Sequence, residues 1–540
     1  MTKAEIYSQL ELTQRDMRLV IGKRTRQLLR NKGFAELADN SADAKLFRYL
    51  VESPRNDVGD VPLPQSLYAR LMDTDPSNCC IKKHLNRLRD RYGITVRDSG
   101  YDKPSATQPG RARDVVAMIL PPEIADIINE RHPDDLTRTG LFSQVSGRLL
   151  KPEDLRGMHT RRVAAAALVN EDAPGDLHRE YLHYLNEHLS LYDFPIGKEA
   201  ISEALAWIDQ LDIPAPAETP TMTKSRQCAV GHAWRSLLFV SRFPQPTYSI
   251  VDKSPRFYTV GYSLATMPAA LRRILLPNAT DCDLTAAQAA IYSALCDIKP
   301  LQEILEGQNS LWKELIDFAG LDPWSDIAEE EAMELLPEEI ADYRVSMARL
   351  KGVLKSHLAY ALSFGMEEYH LLRVQRGKNG RIVDNYDDMI ALVELSESPG
   401  RDIPSTVEVL MSHPAIVAWV AARDALLEKI ITNSGMKDAW GRWIPLHKDG
   451  DRSFDAKSVL AFVIQSYEVG LMEPVMQAAI EEAKKARPLW KIVLHQHDGV
   501  SIAGEKSRLP YIIRRLQDAV AARAKSLIPG ATIATKLEVK

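Results

Sequence analysis

The interpretation of this sequence rests on the stretch KIVLHQHDGVSI, residues 491–502. Apolar residues with strand-like spacing lead into His495, His497 and Asp498, and Gly499 opens a second short apolar run. The pattern predicts two strands joined by a turn, with a carboxylate fixed at the tip beside an open cleft. Such a carboxylate suits a divalent cation, but a catalytic Mg²⁺ usually needs a second carboxylate and substrate phosphates as well. A second segment of the same kind is therefore required.

Another apolar segment also ends in aspartates. The stretch RRILLPNATDCDLTAAQAAIYSAL, residues 272–295, runs into Asp281 and Asp283 and continues with an Ala-rich helical pattern. Asp283 lies where the strand-like pattern changes to the helical one. Taken alone, an aspartate at such a point is more often a helix N-cap than a metal ligand. Both interpretations of Asp283 stay open on this segment alone.

Length and composition limit the class of protein. A chain of 540 residues suggests two to four domains, and its 45% hydrophobic and 26% charged residues can form a core and a solvated surface. The longest apolar runs fall short of the roughly 20 residues that span a bilayer, and MTKAEIYSQL lacks the apolar centre of a secretion signal. Five cysteines without a CxxC pair fit a reducing cytoplasm. We therefore expect a cytoplasmic protein without membrane association. Its net charge of −5 neither requires nor excludes nucleic acid.

Most of the chain has helical periodicity. Apolar residues about 3.6 positions apart predict helices in ADAKLFRYLVES, LHREYLHYLNEHLSLY, KEAISEALAWIDQL and EPVMQAAIEEAKKA. The Pro/Thr-rich stretch at 213–224 is the best candidate for a linker. The acidic run at 325–343 predicts a solvated helix or helical hairpin, to which we assign no role.

Residues 62–120 predict a separate small unit. A short helix, a turn, a second helix that ends at Gly93, the strand ITVRDS, a loop and the strand DVVAMILP follow in the order of a winged helix-turn-helix. The second helix carries Lys83, Arg87 and Arg91 at i, i+4 spacing, as a phosphate-contacting helix would. The alternative is the solvated face of a helical domain, and this segment alone favours neither.

Several segments, in their order, resemble those of the family A polymerases, the group of bacterial DNA polymerase I and the phage single-subunit RNA polymerases. SPRFYTVGYSLATMPAALRRILLP resembles the region before motif A, DLTAAQ resembles motif A, RLKGVLKSHLAYALSFGM resembles motif B, and LHQHDGVSI resembles motif C with its His-Asp pair. WGRWIPL resembles a Gly-Arg segment, FDAKSVLAFVIQSYEVGLMEPVMQAAI resembles a helix pair, and IATKLEVK resembles a short closing strand. The resemblance runs from about Arg256 to the C-terminus, over half of the chain.

The resemblance implies a fold and a division of the chain. The fold is α+β and mostly helical, a right-hand polymerase with an antiparallel-sheet palm, helical fingers and thumb, and an N-terminal helical, winged-helix-like region. Residues 1–125 would form an N-terminal module that binds nucleic acid or a partner, and residues 126–240 a helical thumb-like region. Residues 241–540 would form palm and fingers, with the fingers at about 296–440.

The resemblance also implies the catalytic chemistry. Asp283 and Asp498 take the positions of the catalytic, metal-binding carboxylates, and the cofactor is a pair of Mg²⁺ ions, with Mn²⁺ as an alternative. When a 3′-hydroxyl attacks an α-phosphate, charge builds on the phosphorus oxygens and on the leaving pyrophosphate. Two ions about 3.5–4 Å apart stabilise the attacking and the leaving oxygens.

Motif B and motif A imply the contacts with the incoming nucleotide. These contacts are Gln288, Arg349, Lys355, Tyr360 and Phe364. Lys355 lies one residue from the family's spacing, so the helix has a local bulge or another cation, Lys351 or Arg349, meets the triphosphate. Gln288 stands where the DNA polymerases have a glutamate against the ribose. Its size disfavours a 2′-hydroxyl, whereas its neutral amide could tolerate one.

The remaining implied contacts are with primer and template. They are Arg256, Arg442, Gln465 and His497 in the polymerase-like part, together with Lys83, Arg87 and Arg91 in the N-terminal module. In the DNA polymerases a glutamate follows the His-Asp pair, and here Gly499 stands in its place.

These features predict a template-directed nucleotidyltransferase, in the first place a DNA-directed DNA polymerase of a phage or mobile element. Residues 1–240 contain no Asp-x-Glu pattern of a 3′–5′ exonuclease, so we expect no proofreading. One alternative is a single-subunit RNA polymerase or a primase, and another is a non-catalytic nucleic-acid-binding protein on a polymerase scaffold. The expected partners are a DNA primer/template, nucleoside triphosphates and a replication or initiation partner at the N-terminal module.

Overall fold

The structure is a computed structural model of the chain. The residues that it describes are 20–39, 41–52, 61–62, 81–102, 113–129, 141–143, 173–188, 194, 196–214, 244–250, 254–259, 263–307, 310–322, 375–376, 382–383, 403–446, 448–449, 452–453 and 455–539, with scattered positions at 226–241 and 347–362. The short helix predicted within 62–72, most of the predicted linker and the acidic run at 325–343 lie outside them.

Helices form most of the described chain. They are α1 (Lys23–Asn31), α2 (Ala42–Glu52), α3 (Ile81–Tyr92), α4 (Pro122–Asn129), α5 (Asp176–His183), α6 (Lys198–Leu211), α7 (Ala269–Leu275), α8 (Ala287–Cys296), α9 (Lys299–Glu306), α10 (Leu311–Phe318), α11 (Ile403–Ser412), α12 (Pro414–Asn433), α13 (Ala456–Ala483) and α14 (Leu509–Ala524).

The strands are short and lie between helices along the chain. They are β1 (Val20–Gly22), β2 (Val61–Pro62), β3 (Thr95–Asp102), β4 (Arg113–Ile119), β5 (Leu141–Ser143), β6 (Tyr248–Ile250), β7 (Phe257–Thr259), β8 (Ala279–Leu284), β9 (Gln375–Arg376), β10 (Ile382–Val383), β11 (Gly435–Lys437), β12 (Trp443–Pro445), β13 (Lys448–Asp449), β14 (Arg452–Ser453), β15 (Trp490–Gln496), β16 (Gly499–Gly504) and β17 (Leu537–Val539). The fold is therefore α+β and mostly helical, with small sheets that contain antiparallel pairs.

The chain divides into two compact units. The first consists of Met1–Asp172, Leu182–Ile250 and Phe257–Ala279. The second consists of Ala173–Tyr181, Val251–Arg256 and Thr280–Lys540. Each unit is assembled from segments that are separated in sequence, and the second unit contains the two aspartate-bearing segments.

Within the first unit, the N-terminal region contains the predicted helix and hairpin. α3 ends at Gly93, whose φ of +67° lies in the left-handed region, and the Gly93 and Ile94 amides close the last turn on Arg89 and Leu88. β3 and β4 pair antiparallel in a sheet of order β2-β4-β3. The predicted helix end and the two predicted strands are confirmed.

A small core joins the helices of this N-terminal region. Leu29 of α1, Phe47 of α2, Leu88 of α3 and Ile124 of α4 belong to one cluster and are fully buried. The apolar periodicity of ADAKLFRYLVES therefore corresponds to a buried helix face, and α2 has the predicted bounds to within one residue at its C-terminal end.

Residues 176–211 show one exact helix prediction and one that was too long. α6 occupies all of KEAISEALAWIDQL. α5 gives way after His183 to a π-helical turn at Tyr184–His188. Within that turn the Asn186 side chain donates to the Tyr248 carbonyl (3.0 Å) and accepts from the Tyr248 amide (2.8 Å). Side-chain bonding to β6 thus accompanies the change in helical geometry.

The second unit is organised around α13 and a sheet of order β15-β16-β8-β17. α13 packs against β15, α8, α12 and α14, and its apolar side chains are largely buried. By length and composition α13 could cross a membrane, but 72% of its most apolar window is buried inside the protein. Such burial is typical of a core helix.

α13 is one continuous helix, where the sequence predicted a helix pair. Pro474 lies inside it, and a proline there removes an amide and clashes with the carbonyl four residues earlier, here that of Gly470. Arg523 of α14 resolves the first problem, because its Nε donates to the Gly470 carbonyl at 3.2 Å. Arg523 also forms an ion pair with Glu473. A side chain distant in sequence therefore supports the helix at its weakest turn.

Candidate active site

Asp283 and Asp498 come together at one place in the sheet of the second unit. Asp283 lies on β8, and Asp498 lies in the tight turn between β15 and β16. β16 is the direct neighbour of β8, and the Leu284 amide donates to the Asp498 carbonyl at 3.0 Å. The predicted hairpin with an aspartate at its tip is confirmed, and its tip is bonded to the end of the other aspartate-bearing segment.

Gly499 allows this close approach. A Cβ at position 499 would lie 2.8 Å from Asp283 Oδ1 and 2.8 Å from the Cys282 carbonyl oxygen. Contacts this short are essentially never made by a real Cβ, so any side chain would push the turn away from β8. A glutamate at position 499, as in the DNA polymerases that the sequence resembles, would not fit this backbone.

His497 occupies a demanding position in the same turn. Its φ is +49°, in the left-handed region that non-glycine residues adopt at a conformational cost. Its side chain is exposed at the tip of the hairpin, directly beside Asp498.

The N-cap interpretation of Asp283 is wrong. The cap of α8 is Ala286, with a φ of +43° and no side-chain capping bond, so Asp283 belongs to the strand. The chain end supports this strand, because β17 pairs antiparallel with β8 and places Glu538 opposite Asp283. The closing strand expected in IATKLEVK is thereby confirmed.

The residues around Asp283 alternate between two faces of β8. Asp281 and Asp283 are half-buried, and Ser501 Oγ donates to Asp281 Oδ1 at 2.5 Å. Cys282, between them, is buried, and burial, with the charges of the two aspartates, raises the pKa of its thiol to about 12. Cys282 therefore packs as a thiol, while the aspartates form the polar face.

Asp283 and Asp498 have the kind of side chain that a magnesium ion binds. Among the described residues there is no group of three or more His, Cys, Asp or Glu side chains that could hold a metal by itself. Mg²⁺ does not require one, since it keeps several waters and binds through one or two carboxylates plus substrate phosphates. Two aspartates supplied by adjacent backbone segments match that donor set.

Arg256 and Gln465, both predicted to contact primer or template, make buried contacts inside the second unit. Arg256 pairs with Glu468 on α13, and its side chain is only 10% exposed. Gln465 Oε1 accepts a hydrogen bond from Ser254 Oγ at 3.0 Å. These contacts attach the 254–256 segment to α13.

Arg442 also has internal partners. Its Nε donates to Asp438 Oδ2 at 2.7 Å, and its guanidinium lies 5.3 Å from the centre of the Trp440 ring. The Asp438 side chain is almost fully buried, while that of Arg442 is 28% exposed. The pair closes the loop between β11 and β12 and leaves part of the guanidinium at the surface.

The structure describes little of the predicted nucleotide contacts. Gln288 lies in the first turn of α8 and is half-buried. Lys351, the alternative triphosphate contact, is described and half-buried. The other four predicted contacts lie outside the described residues; they are Arg349, Lys355, Tyr360 and Phe364.

The predicted cations of the N-terminal module differ in their surroundings. Arg87 pairs with Asp43 of α2 at 3.0 Å, and Arg91 pairs with Glu36 at 2.7 Å. Lys83 is exposed and is not part of any ion pair among the described residues. Two of the three cations thus form ion pairs within the same module, with 41% of the Arg87 and 59% of the Arg91 side chain exposed.

Sequence reasoning did not single out three further residues of the second unit. Glu468 is fully buried in α13, and Tyr181 contacts the buried His495 through its hydroxyl at 3.2 Å from Nδ1. His178 lies against Trp440, with ring centres 4.8 Å apart. A glutamate inside the apolar pattern of α13 was the one available signal, since a buried acid requires a partner.

Comparisons with known proteins give little further information. No family model matches the chain, and no curated protein matches it. Among solved structures, the chain is similar to the POL domain of Pol1 from M. smegmatis, in complex with DNA primer-template and dNTP. The identity is 14% and the TM-score 0.39, over 71% of this chain and 68% of that one. A likeness of this degree determines neither the fold nor the function of this chain.

Proposed function

We propose that this protein is a template-directed nucleotidyltransferase, a DNA-directed DNA polymerase without 3′–5′ exonuclease that uses two metal ions. The observation that carries the proposal is the convergence of Asp283 and Asp498, which are far apart in sequence and lie on hydrogen-bonded backbone segments of one sheet. Carboxylates arranged in this way are suited to hold Mg²⁺ beside a triphosphate.

In the proposed reaction the residues of the chain hold and orient the substrates. Asp283 and Asp498 would bind Mg²⁺, which when bound stabilises charge on the attacking and leaving oxygens. The Leu284–Asp498 backbone bond holds the two aspartate-bearing segments together. His497, exposed and adjacent to Asp498, would contact the primer end, and Arg442 the primer or template.

The right-hand arrangement is part of the same proposal. Residues 241–540 would supply palm and fingers, 126–240 a thumb, and 1–125 a module for nucleic acid or a partner. On the fingers, Lys355, or else Arg349 or Lys351, would meet the triphosphate, and Tyr360 and Phe364 would lie beside the base.

Deoxynucleotides are the proposed substrates. Gln288 is large enough to oppose a 2′-hydroxyl, and Phe364 lacks the hydroxyl of the tyrosine found in RNA polymerases of the family. RNA synthesis is the second candidate, because the Gln288 amide is neutral and can donate a hydrogen bond. Primer extension with separate dNTP and NTP pools, with and without a primer and with and without Mg²⁺, distinguishes the two.

The decisive test replaces each aspartate with its isosteric amide. We expect Asp283→Asn and Asp498→Asn to keep the far-UV circular dichroism of the parent protein and to lose nucleotide incorporation. Asp297→Asn is the matched control: Asp297 is exposed, pairs with Lys299, and has a φ of +52° that asparagine accepts well. The control should extend primers like the parent. Retained extension by either active-site variant would refute the proposal and favour a non-catalytic nucleic-acid-binding protein.

The role of the N-terminal module is tested separately. Removal of residues 1–125 should weaken template binding or change the choice of start site, as measured by fluorescence anisotropy and product mapping. Unchanged affinity and start sites would argue that the module has another task.

A further inference from the structure

A buried ion pair links an irregular segment to the central helix of the second unit. Arg256 Nε donates to Glu468 Oε2 at 3.0 Å, and Arg256 Nη2 donates to the same oxygen. The Glu468 side chain is 1% exposed and that of Arg256 10%. Two donors on one acceptor fix the direction of the guanidinium as well as its distance.

A second link lies beside the first. Ser254 Oγ donates to Gln465 Oε1 at 3.0 Å, and Gln465 and Glu468 are three residues apart on α13, hence on one helix face. The Arg256 amide also donates to Ser254 Oγ, at 3.4 Å. The 254–256 segment is therefore held to one turn of α13 by two side-chain contacts.

This turn lies next to the strand that leads to Asp498. α13 packs against β15. His495 of β15 is buried, and the charge of Arg256 contributes, after burial and the charge of His497, to lowering the pKa of its imidazole. The ion pair is therefore carried by the helix that packs against β15.

The pair is poorly built for stability alone. Burying two charges costs about as much as their attraction returns, and a well-packed apolar pair of similar volume is often more stable. Moreover, Glu468 Oε1 is buried without a hydrogen-bond partner among the described residues, which adds a desolvation cost. The ion pair instead fixes the orientation of the 254–256 segment relative to α13.

We propose that Glu468 is a positioning residue for the reaction proposed above: through Arg256 it fixes the 254–256 segment against α13, the helix that packs on β15, and β15 leads into the turn that carries Asp498. This inference rests on the proposed function. It also assigns Arg256 an internal task, in place of the primer or template contact that its sequence position suggested.

The test compares three variants with the parent protein. Glu468→Gln keeps the shape and removes the charge, Glu468→Asp keeps the charge and shortens its reach, and the double variant R256M/E468M replaces the pair with apolar side chains. For each we measure Tm, the Kd for primer–template by anisotropy, and kcat and KM for the nucleotide.

If Glu468 has a positioning role, its variants should lose turnover even where the protein keeps its thermal stability. Because a misplacement of about 1 Å can reduce a rate on the order of a hundredfold, we expect kcat to fall roughly 10–100-fold in Glu468→Gln, with the nucleotide KM within about threefold of the parent value. R256M/E468M should recover the Tm of the parent and keep the low kcat. Glu468→Asp should lose less Tm than Glu468→Gln and still lose turnover.

Either of two results overturns the inference. One is a double variant with parental kcat, which would make the pair purely structural. The other is parental kcat in Glu468→Gln or, where that variant does not fold, in Glu468→Asp. A parent protein that incorporates no nucleotide refutes the proposed function and this inference with it, whereas an active parent with either result refutes this inference alone.

Discussion

Two groups of charged residues, the aspartates of the second unit and the cations of α3, were both predicted from the sequence to be functional. Their surroundings in the structure differ. Asp283 and Asp498 come from distant segments, which are joined by a backbone hydrogen bond of 3.0 Å from the Leu284 amide to the Asp498 carbonyl. Arg87 and Arg91 are instead paired with acids of their own module, Asp43 and Glu36.

The difference teaches that charge in a sequence does not show whether that charge is available to a substrate. The sheet of order β15-β16-β8-β17 brings the aspartates together from two distant parts of the sequence. The arginines of α3 form ion pairs with acids of neighbouring segments in the same module. A functional interpretation of a charged segment therefore depends on which elements surround it.

The largest effect should come from a substitution that moves the turn carrying Asp498 away from β8 and leaves both aspartates unchanged. Gly499→Ala places a Cβ 2.8 Å from Asp283 Oδ1 and from the Cys282 carbonyl, so the turn must move away from β8. We expect nucleotide incorporation to fall by a factor on the order of a hundred or more. Gly197→Ala is the control, because a Cβ there meets nothing within 4 Å. Parental activity in Gly499→Ala would show that the close approach is dispensable.

Arg523 has internal partners, so its loss should reduce the stability of the protein and not its catalytic rate. Arg523→Met removes the donor to the Gly470 carbonyl and leaves Glu473, 17% exposed, without its arginine. We expect a loss of about 2–3 kcal/mol in the free energy of unfolding, measured by urea denaturation. Arg515→Met, at an exposed position of the same helix, should change it by less than about 0.5 kcal/mol. Equal losses in both variants would contradict the role given to Arg523.

His178 is a titratable group that burial keeps neutral in the folded protein. Burial, followed by the charges of Arg442 and Arg179, lowers the pKa of His178 to about 4, below its value in the unfolded chain. The unfolded state therefore binds the proton first, and stability that is complete above about pH 6.5 is lost as the pH falls toward 4.

Replacing His178 should reduce the loss in the free energy of unfolding that occurs as the pH falls. Between pH 8 and pH 5 we expect the parent to lose about 2 kcal/mol more than His178→Phe in the free energy of unfolding. His183→Gln, at an exposed position, is the control and should follow the parent. Parallel curves for parent and His178→Phe would show that His178 is not protonated on unfolding in this range.

The smallest effect should separate the cations of α3. Lys83 is exposed, so Lys83→Ala should reduce the salt dependence of template binding by somewhat less than one unit of log–log slope and leave Tm unchanged. Arg87→Ala breaks the pair with Asp43 and should cost at most about 1 kcal/mol of stability. Equal effects of both variants on binding, with no change in Tm, would show that Asp43 does not withhold Arg87 from nucleic acid.

Much of the local structure could be predicted from the sequence. The periodicity of KEAISEALAWIDQL gave the bounds of α6, and alternation around a polar tip gave the β15–β16 hairpin. Gly93 marked the end of α3. These features depend on neighbours a few residues apart, and short-range pattern is what the sequence displays directly.

The continuity of α13 could not be predicted in this way. Pro474 signals a break, and only Arg523, about fifty residues further on, supplies a donor for the Gly470 carbonyl. The burial of Arg256 against Glu468 was likewise invisible, because an arginine in a loop looks the same whether a substrate or a glutamate will meet it.

The sequence by itself determined the bounds of α2 and α6, the end of α3, the hairpin with Asp498 at its tip and the strand that carries Asp283, because periodicity and turn chemistry act over short distances. Only the tertiary structure decided that Gly499 lies against Asp283, that Arg256 pairs with Glu468, and that Arg87 and Arg91 pair with Asp43 and Glu36. The physical reason is that hydrogen bonds and ion pairs between distant segments depend on how the elements pack, and packing is a property of the whole unit.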